Sequence, residues 1–377
     1  MFNDIKIIRP VGNLINQTKS TNINLTTPHN FYSSGTASLA AALIASKQIR
    51  FDIKKPEVII PAYACPDLIS AIVFAQAVPV LVDIDVNSPM MSLKNIDDAI
   101  TKQTIAIIAI RFFGLQENNK ELLLISKQHN LILIEDSAQG FPNKEFDNYW
   151  VGDFIILSFG RGKPLNLLGG GAVLSRDSNL IDKLPIPSSA SDSLINKLKY
   201  KLKLFIYNQS IVPFAYGLIT RMPGLNIGQT IYKPLTAINS INEGTKQLLT
   251  SNIEAYPTRL NCQNKYTEIL KHCNNTIIID LPSKLKHDMS QPLLRYPILV
   301  KEYALRNRLY EKLKPYGASL MYKKPLNEID NVDKLIKESN GTYENASNFA
   351  KHLLTLPTHE SVDNKTIEAI ERNLKEV

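Results

Sequence analysis

The chain has 377 residues, of which 44% are hydrophobic and 21% are charged. This is the composition of a globular protein, and it excludes a disordered chain, a coiled coil and a collagen-like polymer. The formal net charge of +8 is compatible with simple solubility, an anionic substrate or an anionic membrane surface. We expect no nucleic-acid partner, because the sequence has no zinc spacing, RNP motif or basic-aromatic stripe.

The cysteine content indicates a reducing compartment. Cys65, Cys262 and Cys273 are too widely spaced for a metal knuckle, so we expect no metal site and no disulfide framework. The N-terminus lacks an apolar core of signal-peptide length, and no run of about 18 apolar residues occurs. We therefore expect a cytoplasmic protein.

The first half of the chain alternates β-rich runs with helix-like stretches. The runs are nearly continuous in Val, Ile and Leu, which is typical of parallel strands buried on both faces. This alternation predicts an α/β sheet whose ligands bind beyond the carboxyl ends of the strands. The predicted strands are Val58–Ile60, Val80–Ile84, Ile105–Ile110, Leu131–Ile134, Phe154–Phe159 and Ala172–Ser175, and the predicted helices are Thr36–Lys47, Asp67–Ala75, Leu93–Ile100 and Asn118–His129.

A basic amphipathic insert is predicted near residues 190–240. Lysines 197, 201 and 203 project away from one apolar helical face, which consists of Leu194, Ile195, Leu198, Leu202, Phe205 and Ile206. Such a helix packs on its own domain or on a partner subunit, or it lies on an anionic membrane through residues 194–220.

The pattern changes after this insert and predicts two domains. Residues 1–244 would form a large domain, and residues 245–377 a smaller α+β domain. The smaller domain would contain a long helix, a strand and two further helices. These predicted elements are Thr245–Cys273, Pro297–Val300, Glu302–Tyr316 and Ser361–Lys375.

The helix predicted to begin at Thr36 opens with small and hydroxyl-bearing residues, Ser33 to Ala37. Free backbone N–H groups at a helix N-terminus, with hydroxyls beside them, bind phosphate well. The same residues would also act as an ordinary helix cap without any ligand. Both interpretations stay open at this stage.

Ionisable side chains follow two of the predicted strands. Glu135 and Asp136 follow one strand, and a carboxylate there is costly unless it caps a helix or meets a cation, such as a protonated ring nitrogen. Lys163 follows the next strand, and Pro164 holds it out of the right-handed helical region. It is either a solvated turn lysine or a nucleophilic amine. Three glycines, Gly169–Gly171, then mark a flexible loop or a close backbone approach.

Taken in this order, these clusters are the parts that pyridoxal phosphate (PLP) requires. Its phosphate needs N–H donors, its ring nitrogen needs a carboxylate, and its aldehyde needs a lysine amine. On these residues the chain resembles the DegT/DnrJ/StrS family of PLP-dependent nucleotide-sugar aminotransferases. The resemblance covers roughly residues 30–175 well and the C-terminal third loosely, through SSGTASLAAAL, PAYACPDLISAIVFAQAVPVLVDID, FFG at Phe112–Gly114, IEDSAQ and SFGRGK.

The resemblance implies a PLP-dependent transferase fold of type I, with a mostly parallel central sheet in the large domain and a homodimer with active sites at the subunit interface. It assigns covalent attachment of the cofactor to Lys163, the ring nitrogen to Asp136 and the ring hydroxyl to Gln139. Cys65 stands where an aromatic residue often stacks on the cofactor, so Tyr63 is an alternative stacking residue. The phosphate would be held by Ser34, Gly35, Thr36, Ala37 and Ser158.

The activity implied by the resemblance is transfer of an amino group from an amino acid, by family habit glutamate, to a keto-sugar nucleotide for polysaccharide or glycan biosynthesis. Cys65, Gly160 and Gly169 depart from the family pattern. These departures leave open a lyase reaction, a non-sugar substrate, or a non-catalytic relative that keeps the fold.

Overall fold

The structure is a computed structural model that describes residues 6–22, 25–143, 149–189, 194–222, 230–256, 260–273, 276–338 and 341–377. The strands are β1 (His29–Tyr32), β2 (Glu57–Pro61), β3 (Val78–Val82), β4 (Thr104–Ile110), β5 (Ile132–Asp136), β6 (Phe154–Ser158), β7 (Gly171–Leu174), β8 (Ile278–Asp280), β9 (Arg295–Val300) and β10 (Leu353–Pro357).

The α-helices are α1 (Gly35–Ile49), α2 (Asp67–Phe74), α3 (Leu93–Ala99), α4 (Asn119–Gln128), α5 (Ser178–Ile181), α6 (Leu194–Ser210), α7 (Pro213–Ile219), α8 (Glu243–Gln247), α9 (Leu249–Ala255), α10 (Leu260–Lys271), α11 (Leu281–Lys284), α12 (Tyr303–Leu313), α13 (Glu344–His352) and α14 (Asn364–Lys375). Short 3₁₀ turns lie at Phe112–Gly114, Lys314–Tyr316 and Leu326–Glu328.

A seven-stranded sheet forms the centre of the fold, with strand order β1-β7-β6-β5-β4-β2-β3. Strands β2 to β6 run parallel, which confirms the predicted mostly parallel α/β sheet. The strand predicted at Ala172–Ser175 exists as β7 but runs antiparallel to β6, and β1, which the sequence reading missed, pairs antiparallel with β7. The strand predicted at Val80–Ile84 begins and ends two residues earlier, as β3.

Continuous burial holds this sheet in the core. Every residue of β2 and β4 is buried, as expected for strands covered on both faces. Helix α1 packs on β6 and β7 through a face rich in alanine, including Ala37 and Ala41. Small side chains bring the helix axis close to the strands, so the N-terminus of α1 lies beside the end of β6.

A second, three-stranded antiparallel sheet, β10-β9-β8, lies in the C-terminal third. The predicted strand at Pro297–Val300 is confirmed within β9, but β8 and β10 were not predicted. The single long helix predicted over Thr245–Cys273 is wrong, because α8 and α9 are separate helices divided at Leu248 and α10 begins at Leu260. The domain boundary at residue 245 stays a prediction.

Asp83 ties the large sheet to the C-terminal third. It follows β3, and its two carboxylate oxygens accept hydrogen bonds from the backbone N–H groups of Asn345 (3.0 Å) and Ala346 (2.9 Å). These are free donors in the first turn of α13, so the carboxylate acts as a helix cap supplied from a distant part of the chain.

The predicted amphipathic helix is confirmed as α6, but in the part of the chain that the structure describes its apolar face is exposed. The face that contacts the body of the protein carries Tyr200, Leu204 and Tyr207 instead. The apolar stripe faces outward, and Leu194 and Leu198 are 84% and 69% exposed. Among the described residues, no helix combines the length and hydrophobicity needed to cross a membrane.

Candidate functional site

The site lies at the carboxyl ends of β5 and β6, which are neighbours in the sheet. Asp136, the last residue of β5, pairs with Ile156 of β6, and Ser158 ends β6 two residues further on. At about 3.3 Å per residue this separates the levels of Asp136 and Ser158 by roughly 7 Å along the strand direction. The strand ends therefore place a carboxylate and a hydroxyl on one edge of the sheet.

The N-terminus of α1 meets the end of β6 in an unusually close contact. Ser34 caps α1, and its hydroxyl accepts a hydrogen bond from the backbone N–H of Ala37 at 3.1 Å. A Cβ added to Gly35 would lie 2.6 Å from Cβ and 2.8 Å from Oγ of Ser158. Only glycine fits there, so the first turn of α1 lies directly beside the Ser158 hydroxyl.

Gly169–Gly171 also pack against the residues that lead into α1. Gly170 forms a parallel bridge with Ser34, and a Cβ on Gly171 would lie 2.7 Å from the backbone of Ser34. Gly170 has φ of +96°, a conformation that side-chain-bearing residues adopt only with strain. The glycines thus serve close backbone approach, which was one of the two interpretations that the sequence left open.

Asp136 and Lys163 lie close enough for their charges to act on each other. The Asp136 side chain is buried, and its Oδ1 accepts a hydrogen bond from the backbone N–H of Ala138 at 2.9 Å. Burial raises the pKa of Asp136, and the positive charge of Lys163 opposes that rise. Lys163 sits in a tight turn, with its backbone N–H on the carbonyl of Gly160 at 3.3 Å.

Gln139 and Cys65 meet at a tyrosine from the C-terminal third. The Gln139 amide oxygen accepts the backbone N–H of Phe113 at 3.2 Å, and its amide nitrogen donates to the Tyr322 hydroxyl at 3.4 Å. The Cys65 thiol interacts with the Tyr322 side chain, and burial raises the pKa of the thiol to about 12. The thiol is therefore neutral at physiological pH.

A buried ion pair supports the strand that carries Asp136. Arg111 and Glu135 are both nearly inaccessible and lie 3.3 Å apart. Glu135 also accepts hydrogen bonds from Asn119 Nδ2 and the backbone N–H of Gly152, both at 2.7 Å. The Arg111 guanidinium lies 4.0 Å from the centre of the Tyr149 ring. These partners offset the cost of burying the two charges.

Every residue that the sequence singled out for the cofactor lies at this edge of the sheet or in the turn of α1 beside it. Tyr63 does not fit the stacking role, because it is fully buried and its ring packs against Phe112, Tyr322 and Phe349. Tyr322 was missed by the sequence analysis. It lies 183 residues from Gln139, in a segment without a recognisable motif.

The fold and this edge define an α/β protein with a glycine-lined helix N-terminus beside a lysine and a buried aspartate. The chain belongs to the DegT/DnrJ/EryC1/StrS aminotransferase family, whose sequence model matches residues 31–211 and 246–375. The predicted family and fold type are confirmed.

Individual relatives are more distant. The chain is 32% identical over 153 residues to GDP-perosamine synthase of Escherichia coli O157:H7, which covers 40% of this chain and 41% of that protein. The match thus spans about two fifths of the relative's length. Helicobacter pylori PseC, an aminotransferase involved in pseudoaminic acid biosynthesis, superposes with a TM-score of 0.72 over 98% of this chain and 99% of PseC at 17% identity. Bacillus subtilis NtdA, solved with bound PMP, gives 0.65 over 92% and 72% at 18% identity.

Proposed function

We propose that this protein is a PLP-dependent aminotransferase that moves an amino group from an amino acid, with glutamate as the first donor to test, to a keto-sugar nucleotide. Membership of the family and the names of the sugar-modifying relatives support the reaction class. The observation that carries the proposal is that the charge of Lys163 acts on the buried Asp136, at a sheet edge where the tight contact of Gly35 with Ser158 sets the N-terminus of α1 beside the Ser158 hydroxyl.

The residues at the site fit PLP. The first turn of α1, with Gly35 against Ser158, would hold the phosphate through Ser34, Thr36, backbone N–H groups and the Ser158 hydroxyl. Asp136, whose side chain is buried and whose Oδ1 accepts a hydrogen bond from the backbone N–H of Ala138, would face the ring nitrogen. When bound, PLP supplies an aldehyde for amine exchange and a ring that accepts electrons.

The chain's own groups then have separate tasks. A positive ring nitrogen beside Asp136 would favour the charged carboxylate despite its burial, so the ion pair keeps that nitrogen protonated. Lys163 would hold the cofactor's carbon at rest and, once released, carry the proton removed from the donor's α-carbon. Gln139, fixed between Phe113 and Tyr322, would orient the ring hydroxyl. Cys65, as a neutral thiol, would contact the ring without adding charge.

Amino transfer itself tests this proposal. Holoenzyme would be incubated with L-glutamate and keto-sugar nucleotides, and 2-oxoglutarate and amino-sugar product would be measured together. We expect both products in equal amounts, and none from Lys163→Ala. Release of ammonia without amino-sugar would instead favour a lyase, and cofactor binding without conversion of any donor would favour a non-catalytic relative.

The oligomeric state and the cellular location are inferred from the family. We infer a cytoplasmic homodimer with sites at the subunit interface, which membership of the family supports. Sedimentation velocity on the holoenzyme measures the dimer directly. A monomer at micromolar concentration with full amino transfer would contradict this part of the proposal.

A second role, contact with an anionic membrane surface, is favoured by α6. The outward stripe of Leu194, Leu198, Leu202 and neighbouring apolar residues is exposed, and the segment 194–222 contains lysines and one arginine but no acidic residue. Apolar side chains flanked by lysines are the pattern of helices that lie in a lipid interface. A symmetric contact with a second copy would instead bring lysines against lysines.

Hydrogen bonds from the inner face of α6 fix the helix with its apolar stripe toward the solvent. Tyr200 donates to the carbonyl of Leu167 (3.0 Å) and Lys203 to that of Leu168 (3.1 Å). A cavity of about 670 Å³ adjoins the helix and is lined by Leu194, Lys197, Leu198, Lys201 and Lys19 among others. These hydrogen bonds fix α6 on the loop that follows Lys163, so the apolar stripe could contact a lipid surface while the helix stays attached to that loop.

Co-sedimentation with vesicles tests this role. Holoenzyme should pellet with vesicles that contain phosphatidylglycerol and stay in solution with phosphatidylcholine alone. Leu198→Glu should abolish pelleting, whereas Leu124→Glu, at an equally exposed leucine on α4 (68%), should not. Loss of the dimer in Leu198→Glu, with no vesicle binding by the wild type, would assign the stripe to a subunit interface.

A further inference from the structure

A segment that precedes β1 crosses the turn that carries the lysine of the candidate site. Residues 9–13 form this strap, and it contacts the residue on each side of the lysine. A Cβ added to Gly162 would lie 2.9 Å from Cγ1 of Val11, and Nδ2 of Asn13 donates a hydrogen bond to the carbonyl of Pro164 at 3.4 Å. The strap therefore touches the chain directly before and directly after that lysine.

Asn166, a buried residue three positions after Lys163, joins the strap to α6. Its Nδ2 atom donates to the carbonyl of Asn13 at 3.2 Å and to the hydroxyl of Tyr207 at 2.7 Å. An amide nitrogen carries two hydrogens, so these two bonds use both of them. A Cβ added to Gly12 would lie 2.7 Å from the same tyrosine hydroxyl. The strap, the loop after the lysine and the helix thus meet at one side chain.

Arg9 fixes the other end of the strap. This buried side chain donates from Nε to the carbonyl of Gly12 at 2.8 Å, which closes a turn within the strap. Its Nη1 atom donates to the carbonyl of Ile211 at 2.9 Å and to Oγ of Ser361 at 2.7 Å, and its Nη2 atom pairs with Glu360. The strap is therefore anchored both to the end of α6 and to the C-terminal third, and it holds the lysine turn against a fixed support.

The turn itself gives Lys163 little support. The backbone N–H of Lys163 makes a long hydrogen bond to the carbonyl of Gly160, at 3.3 Å, and Pro164 has no N–H to donate. Gly160 and Gly162 have no side chains to anchor the turn, and Arg161 is exposed. Displacement of a reacting group by about 1 Å can cost about 100-fold in rate, so the placement of the lysine amine depends on what packs against the turn.

Asn13 has a feature that stability does not explain. Its Oδ1 atom is shut off from solvent and has no hydrogen-bond partner among the residues that the structure describes. An unsatisfied buried amide oxygen costs free energy, which an apolar side chain would avoid. The hydrogen bond that Asn13 donates to the lysine turn accounts for an asparagine at this position better than stability does.

We propose that Asn166 and Asn13 are positioning residues for Lys163, which hold its turn so that the amine is aimed at the place where the cofactor aldehyde binds. They act through the backbone of the turn and do not touch the cofactor. This inference rests on the proposed aminotransferase function, but it concerns attachment of the cofactor, which precedes any amino transfer and is measured separately from it.

The rate at which Lys163 captures the cofactor tests the proposal without turnover. The full chain, freed of cofactor, would be mixed with PLP and reduced with borohydride at successive times, and the modified Lys163 peptide would be quantified by mass spectrometry. Asn166→Ala should slow capture by about 10- to 100-fold, the range expected for displacement of a reacting group by up to about 1 Å. Asn13→Ala, which loses one long hydrogen bond, should slow capture less and fold as stably as the wild type.

Asn208→Ala is the matched control. Asn208 ties α6 to Ile15, just beyond the strap, through two hydrogen bonds of 3.0 Å each. In the described part of the chain it makes no hydrogen bond to residues 160–166. This variant should lose unfolding free energy comparable to that lost by Asn166→Ala, because each removes two hydrogen bonds, and yet capture the cofactor at the wild-type rate.

Hydrogen exchange supplies the second readout. In the cofactor-free chain, Asn166→Ala should speed exchange of the amides of residues 160–168, and Asn208→Ala should not. Wild-type capture rates in both Asn166→Ala and Asn13→Ala would overturn the inference, as would equal slowing by Asn208→Ala, which would point to general loosening. If Asn166→Ala does not fold, Asn13→Ala decides the question. Slowed capture by these variants in a protein that transfers no amino group would refute the proposed function alone.

Discussion

The contact between Gly35 and Ser158 makes a quantitative prediction about Gly35→Ala. The new Cβ would lie 2.6 Å from Ser158 Cβ and 2.8 Å from its Oγ, well inside normal contact distance. Ser158 cannot retreat easily, because it pairs with Gly171 in the sheet, and Ser34 is bridged to Gly170 on the other side. Overpacking of this kind costs about 1–3 kcal/mol.

The assay is urea unfolding of a double-mutant cycle. Ser158→Gly removes both clashing atoms and leaves Ser158 Cα as the nearest, at 3.4 Å, so Gly35→Ala should cost much less in that background. Gly160→Ala is the control, since its Cβ would lie 3.6 Å from Ser158 Oγ in ordinary contact. An equal cost of Gly35→Ala in both backgrounds, or one no larger than that of Gly160→Ala, would refute the reasoning.

Three further predictions concern groups outside the contact. Burial raises the pKa of Glu117 from 4.5 to about 8 in the folded protein. Between about pH 5 and 8 the unfolded chain therefore binds fewer protons than the folded one, and wild-type stability falls as the pH rises. Glu117→Gln should become increasingly more stable than the wild type over that range, and a pH-independent difference in urea midpoints would contradict this. Arg111→Met should cost about 3–5 kcal/mol of unfolding free energy, because the buried Glu135 would lose its cationic partner. Adding Glu135→Gln should recover part of this free energy, and no recovery would argue against the ion pair. Asp83→Ala should lose about 0.5–2 kcal/mol of unfolding free energy through the cap on Ala346, and an unchanged midpoint would show that the cap is not stabilising.

Local signals made much of the site predictable from sequence. Asp136 follows an uninterrupted apolar run, and Lys163 precedes a proline in a turn after the next strand. In parallel sheets such positions converge on one edge, whatever the rest of the chain does. Gly35 and Ser34 were recognised as small and hydroxyl-bearing residues at the start of a helix, a pattern that fits a phosphate site and an ordinary helix cap alike.

Other features depend on packing that local patterns do not encode. The antiparallel direction of β7 could not be predicted from the sequence, because a buried run of apolar residues looks alike in parallel and antiparallel pairs. The long helix predicted from Thr245 is divided at Leu248, where Asn252 bonds back to the carbonyls of Asn16 and Leu248. Tyr322 reaches the site from 183 residues away along the chain, and no motif marks it.

The proposed amino transfer depends above all on covalent attachment of the cofactor to Lys163. Borohydride reduction of the holoenzyme, followed by peptide mass spectrometry, measures this directly. We expect a cofactor-sized mass addition on the peptide that contains Lys163, its loss in Lys163→Ala, and its retention in Lys203→Ala. A reduced protein that carries no addition, or carries it on another lysine, would contradict the central claim.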